Sequence, residues 1–181
     1  MRQFRGIAAA SRLAAVAAVA AGVSVAAEVR PAAAAREVVT FKAEAMPGTI
    51  VVKTSERRLY YVVGDGRAIR YRVAVGMSGR QWTGATYIDG KHLQPAWSPP
   101  TEVKRYKPSL PSLIPGGAAS NPMGAAALTL SGGEYAIHGT SASMRRSIGS
   151  AASFGCIRML NEDVLDLFSQ VRVGTRVVVE R

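Results

Sequence analysis

Ser153-Phe154-Gly155-Cys156-Ile157-Arg158-Met159 is the stretch that decides how this chain is read, because it holds the one cysteine among 181 residues. A thiol is nucleophilic only as its thiolate, and a free pKa of about 8.5 leaves it mostly protonated at neutral pH. A neighbour must take that proton if Cys156 is to react. The chain has two histidines, His92 and His138. His138 opens His138-Gly139-Thr140, eighteen residues before the cysteine and at the end of an apolar run. An imidazole in hydrogen-bond reach can accept a thiol proton and later return it to a leaving amine. His92 lies in a proline-rich stretch, where an exposed loop residue is expected. His138 is therefore the candidate base and Cys156 the candidate nucleophile. On spacing alone, an inert buried thiol and a structural histidine are the commoner arrangement; the neighbours have to decide.

Those neighbours favour chemistry. Gly155 has no side chain, so a substrate carbonyl can approach Cys156, and backbone N–H groups around a nucleophile can hold an oxyanion. If the segment is extended, Cys156 and Arg158 project on one face, and the guanidinium can grip a substrate carboxylate beside the thiol. An ordinary ion pair is the alternative role for Arg158. Ser153 can hydrogen-bond within the turn or support the site.

Outward from this segment the chain reads as strand-rich. Thr49 to Lys53, Arg58 to Val63 and Ala68 to Val75 are short runs of Val, Ile and Tyr. Gly64-Asp65-Gly66-Arg67 separates the second from the third, and Gly and Asp accept the backbone angles of a tight antiparallel hairpin. Strand character returns at Ala127 to Leu130, Glu134 to Ile137 and Arg176 to Glu180. Residues from about Gly79 to Asn121 hold most of the prolines and are expected to form a long, weakly regular connection, as a binding wall or as irregular packing. One helix follows the cysteine segment. Asn161 is placed to cap it, Glu162 and Asp163 suit its positive end, and Val164, Leu165, Leu167, Phe168 and Val171 give an apolar face.

Composition sets the frame. With 48% hydrophobic and 19% charged residues, the chain has material for one core of ordinary size. Arg2, Arg5 and Arg12 precede an uncharged Ala/Val run from Leu13 to Ala27, and Ser24-Val25-Ala26 and Ala33-Ala34-Ala35 both resemble cleavage points. The run is shorter than the ~20 apolar residues of a permanent span. Residues 1–35 are thus expected to be a secretory signal and leader, 36–46 a short linker and 47–180 a single domain. Beyond residue 35 the chain keeps 19 Lys and Arg against 11 Asp and Glu, about +8. That balance suits an anionic polymer of the cell envelope, with plain solubility as the alternative explanation. Nucleic acid is disfavoured, because export is expected and the basic residues are scattered. A lone thiol in an oxidising compartment also asks for a reason.

The order His138-Gly-Thr, Ser153-x-Gly-Cys156-Ile-Arg-Met, Asn161-x-Asp163 and Val173-Gly174-Thr175 resembles the catalytic domain of the L,D-transpeptidases, the YkuD-like family. The likeness extends to Gly48-Thr-Ile-Val-Val, Arg58-Leu-Tyr, Gly76, Trp82-Thr-Gly84, Pro115-Gly-Gly117 and Asn121-Pro-Met-Gly124, and so covers about residues 47–180. It implies a mainly β fold, a mixed β-sandwich with one helix next to the cysteine and a long covering loop. It implies Cys156 as nucleophile, His138 as proton acceptor and donor, and Arg158 on the substrate side, with Gly155, Ser153 and Gly139 around them. Gly139 offers only its backbone to orient His138. The implied substrate is a peptidoglycan tetrapeptide stem, cut between an L-centre diamino acid and D-alanine. The acyl group then passes to a second stem, to an envelope protein or, in a carboxypeptidase, to water. No metal or organic cofactor is implied, the expected location is the periplasm, and no stable membrane span remains after cleavage. One departure stands out: many relatives carry a second histidine where this chain has Phe154, which can neither accept nor donate a proton. A catalytically silent wall-binding domain is the reading that Phe154 permits.

Overall fold

The computed structural model describes residues 36–42, 44–133 and 135–181. The expected signal and leader, residues 1–35, lie outside the described residues. In chain order the elements are β1 (Glu37–Thr40), β2 (Ile50–Lys53), β3 (Arg58–Gly64), β4 (Arg67–Arg72), β5 (Val75–Gly76) and β6 (Gly84–Leu93). They continue with α1 (Thr101–Tyr106), β7 (Ala126–Leu130), β8 (Ala136–His138), a 3-10 turn (Ala142–Ser147), β9 (Ala151–Ser153), β10 (Ile157–Arg158), α2 (Asn161–Gln170) and β11 (Arg176–Glu180).

The hairpin legible at Gly64 to Arg67 joins β3 and β4, which pair antiparallel with Val62 opposite Ala68. Asp65 (φ 50) and Gly66 (φ 65) both take left-handed backbone, as a turn that matches strand twist requires. The strands run in the order β1-β4-β3-β2-β11-β6-β7-β8-β10, with β5 and β9 forming a separate parallel pair. The sheet is mixed: β11 is parallel to β2 but antiparallel to β6, and β10 is parallel to β8.

β6 is the element that turns one sheet into two layers. Its first half pairs with β11 and its second half with β7, and the register shifts between Ile88 and Gly90, where a bulge bends the strand. The two layers and α2 then share one core, which includes Ile50, Val52, Leu59, Tyr71, Leu128, Ile137, Ile157, Val164 and Leu167. A smaller cluster of Phe41, Val51, Tyr60, Val62 and Ala68 covers the other face of β2 and β3. Burial on both faces explains why β2 reads as a continuous Ile-Val-Val run without alternation.

Several expectations need correction. The connection expected from Gly79 to Asn121 contains β6, the longest strand, as well as the short helix α1. β6 escaped the reading because only one of its residues, Ile88, is buried, so its sequence lacks an apolar period. His92 is exposed, but on this strand and not in a loop. The strand expected from Ala68 to Val75 ends at Arg72, after which Ala74 crosses to Arg158 and exchanges two backbone hydrogen bonds of 2.9 Å. Residues 36–46, expected as a linker, carry β1 on the sheet edge against β4.

The expected helix is α2, but its face and cap differ. Val164 and Leu167 are buried with Val171 just beyond the helix, whereas Leu165 is 43% exposed. Leu160 occupies the cap position, and the Asn161 side chain is used elsewhere. The far end of α2 is held by Lys91 of β6, whose ammonium donates to the carbonyls of Phe168 (2.7 Å) and Val171 (2.6 Å) and lies 4.3 Å from the Phe168 ring centroid. A cation at the negative end of a helix satisfies carbonyls that have no partner within it. Lys91→Met should therefore lower the unfolding free energy by about 1–3 kcal/mol in urea titrations; an unchanged midpoint would show that these bonds contribute nothing net.

Candidate active site

Every part of the site traces back to the short strand β10. It is parallel to β8 with Ile157 opposite Ile137 and Arg158 opposite His138, and its other edge is bridged to Ala74. Met159 N–H donates to the His138 carbonyl at 2.8 Å, which extends the ladder one residue. The cysteine turn immediately precedes this ladder, so Cys156 enters beside β8 two positions before the residue that pairs with His138. Both line a cleft of about 700 Å³, together with Arg158, Arg80, Phe154 and Tyr135. Cys156 and His138 share this cleft without a hydrogen bond between their side chains; such contacts often tighten only once substrate is bound.

The turn is fixed from inside. Ser153 is fully buried, and its hydroxyl accepts from Gly155 N–H (3.0 Å) and donates to the Cys156 carbonyl (2.6 Å). Ser153 thus closes the turn and does not face the cleft. Gly155 N–H is taken by Ser153, whereas the N–H groups of Phe154 and Cys156 have no backbone acceptor among the described residues. Gly155 has φ 129, and a Cβ there would lie 2.2 Å from Tyr135 Cε1. The Tyr135 ring stacks on Trp82 at 5.3 Å between centroids, and Trp82 Nε1 donates to the Gly155 carbonyl at 3.0 Å. The glycine is needed so that this aromatic pair can lie directly against the turn.

His138 is fixed from behind. Its Nδ1 lies 2.8 Å from the Gly139 carbonyl. A carbonyl only accepts, so Nδ1 carries the proton and Nε2 is left as the acceptor. Gly139 is itself buried, and a Cβ on it would lie 2.3 Å from Asn161 Oδ1. That oxygen accepts from the N–H groups of Ala125 and Thr140, both at 3.0 Å. Asn161 thereby ties the end of β8 to the start of β7, and the two glycines beside it, Gly124 and Gly139, leave room for it. Among the expected substrate contacts, Arg158 lines the cleft, while Gly139 and Ser153 sit behind the reacting groups.

Electrostatics leaves both reacting groups uncharged. Burial pushes the Cys156 thiol up, against the smaller opposing pull of the Ala136 backbone and the Arg158 charge. Burial also lowers His138, to about 4, and Arg158 adds to that, while the carbonyls of Gly139 and Pro122 oppose it. Arg158 is lowered by burial as well. It donates to the Ala152 carbonyl at 3.1 Å, but its Nε–H is buried without an acceptor. An orphaned donor of this kind in a cleft wall suits an anionic or carbonyl ligand. Among the described residues no group of three or more His, Cys, Asp or Glu could hold a metal ion.

Tyr135, Arg80 and the positioning role of Asn161 carry no local signal in the sequence. Trp82 offered one cue, since a buried indole N–H needs an acceptor.

Comparison with known proteins places the chain in a family. The family model for the L,D-transpeptidase catalytic domain matches residues 47–179. The probable L,D-transpeptidase ErfK/SrfK of Escherichia coli is 39% identical over 139 residues, 72% of this chain and 43% of that protein. The putative L,D-transpeptidase YkuD of Bacillus subtilis is 52% identical over 67 residues, 37% of each chain. The chain spans about two-fifths of the length of the first curated relatives it matches. Among solved structures, the catalytic domain of an E. faecium L,D-transpeptidase superposes with a TM-score of 0.55 at 18% identity, covering 73% of this chain and 95% of that one. The mainly β fold with its helix is therefore shared across distant sequences.

The depressed histidine makes stability depend on pH. An unfolded histidine binds a proton near about 6.5, but folded His138 does so only near about 4. The unfolded state binds more protons between these values, so stability is full above about pH 6.5 and falls as pH drops toward 4. The difference integrates to about 3 kcal/mol. Urea titrations at pH 7 and pH 4.5 should show a smaller loss in His138→Gln than in the parent; equal losses would mean that His138 is not the titrating group.

Proposed function

The chain belongs to the L,D-transpeptidase catalytic-domain family, and on that footing we propose that it is an exported cysteine acyltransferase acting on peptidoglycan stem peptides. The observation that carries the proposal is the convergence of Cys156, His138 and Arg158 in one cleft, set by the β8–β10 register. The expected signal over residues 1–35 and the basic remainder of the chain support a place in the periplasm or cell envelope.

The mechanism follows from the uncharged resting pair. As Sγ of Cys156 attacks the carbonyl before D-alanine, its proton moves to Nε2 of His138, so no thiolate has to persist in a dry cleft. The Cys156 N–H, which has no backbone acceptor among the described residues, is available to donate to the developing oxyanion. A histidine whose pKa is held low is a strong acid once protonated, so the proton passes readily to the departing D-alanine amine and leaves a thioester. An amine acceptor then attacks the thioester carbon, the C–S bond breaks, and sulfur regains a proton through His138. Arg158 holds a carboxylate or carbonyl of the stem. Phe154 takes no part in proton transfer, because the base and the nucleophile are both present without it. The acceptor is a second stem or an envelope-protein amine.

Intact-protein mass spectrometry with a peptidoglycan tetrapeptide tests this reading. D-alanine should be released and a covalent adduct should form on the parent chain, and both should vanish in Cys156→Ala. His138→Gln should slow acylation by about 10²–10⁴-fold, and Arg158→Gln by about 10–100-fold through loss of a charged hydrogen bond. Folded protein that forms no adduct and releases no D-alanine would overturn the proposal in favour of a silent wall-binding domain.

A further inference from the structure

Phe154, the position where many relatives carry a histidine, does not stand idle in the cleft. Its ring meets Tyr106 edge-on, with centroids 5.2 Å apart and planes at 62°. Tyr106 is the last residue of α1, and Glu102 lies four residues earlier on the same helical face. Glu102 binds Arg80 by an ion pair. Arg80 in turn lies 6.0 Å from the Phe154 ring centroid. Four side chains from three separate segments thus close into one contact between α1 and the cysteine turn.

That contact has a large share of the work, because α1 buries none of its six residues. Tyr106 itself is 64% exposed. An element with no buried apolar anchor, held by an edge-on aromatic pair and an exposed ion pair, opens at little cost. Thr101, Glu102, Val103 and Arg105 of α1 line the same cleft as Cys156. When α1 is seated, it covers the side of the cleft next to Phe154, two residues from the nucleophile.

We propose that Phe154, with Arg80, is the seat of α1, and that the seated helix shields the thioester from water and so sets the division between transfer to an amine and hydrolysis. Phe154 is a positioning residue in this scheme and Tyr106 its partner on the helix. A histidine at 154 offers a smaller and more polar ring, which holds α1 less firmly against the turn. The second half of the proposal rests on the acyltransferase reading; the seating of α1 does not.

The test therefore has two readouts on the full chain and its variants Phe154→Ala, Phe154→His and Tyr106→Ala. The first is hydrogen exchange at the amides of Lys104 and Lys107, which bond within α1 to Pro100 and Val103. Loss of the aromatic contact should speed their exchange by about 3–10-fold while α2 amides stay as they are; unchanged exchange overturns the seat. The second is the ratio of hydrolysed to aminolysed product when the tetrapeptide is offered with and without an amine acceptor. That ratio should rise in each variant in proportion to the exchange rate. Faster α1 exchange with an unchanged product ratio overturns the role in partition. A parent chain that never acylates removes the acyltransferase reading and the partition role with it, and the exchange measurement still decides whether Phe154 seats α1.

Discussion

The two-residue parallel ladder between β8 and β10, with Arg158 opposite His138, is the constraint on which the site depends. It brings together segments eighteen residues apart and leaves the histidine at one strand end and the cysteine turn at the other. Two residues cannot hold a strand in place unaided, and the surroundings show what does. Ala74 pairs with the free edge of β10, Met159 extends the ladder, and Ile157 and Met159 are buried in the common core. The turn before it is closed by the Ser153 hydroxyl and backed by Trp82 and Tyr135. The strand after His138 is tied down by Asn161. The reacting atoms thus sit on backbone that is pinned from every side, which is what a site needs if its geometry is to be ready before substrate arrives.

Burial in this framework has a chemical consequence. Thiol and imidazole are both driven toward their neutral forms, one by a raised and the other by a lowered pKa, and Arg158 is the charge placed beside them. The guanidinium stabilises a developing thiolate and disfavours an imidazolium, so its two effects oppose each other in the resting pair. They cooperate in turnover. Charge develops on sulfur and on the substrate oxygen during attack, and the histidine proton is then released readily to the leaving amine.

How far this could be read without coordinates depended on how local the cause was. The reacting pair was legible, since Cys156 is the sole cysteine and His138 ends an apolar strand. The β3–β4 hairpin was legible because its turn residues demand left-handed backbone, and β11 because Val177 to Val179 leave no alternative. β6 was hidden, since its strand state comes from ladders to β11 and β7 and not from its own pattern. Asn161 was assigned as a helix cap because Asn before an apolar run usually is one; here two N–H groups from distant loops outcompete the helix for its oxygen. The contact between Phe154 and Tyr106 joins segments 48 residues apart and left no local trace.

The most direct test of this account is the pH dependence of Cys156 alkylation by iodoacetamide, which the single thiol makes unambiguous. A neutral thiol beside a neutral imidazole predicts a rate that climbs steadily through pH 8 and levels only above the ordinary thiol pKa of about 8.5. A plateau between pH 5 and pH 7, the mark of a standing thiolate–imidazolium pair, would contradict it.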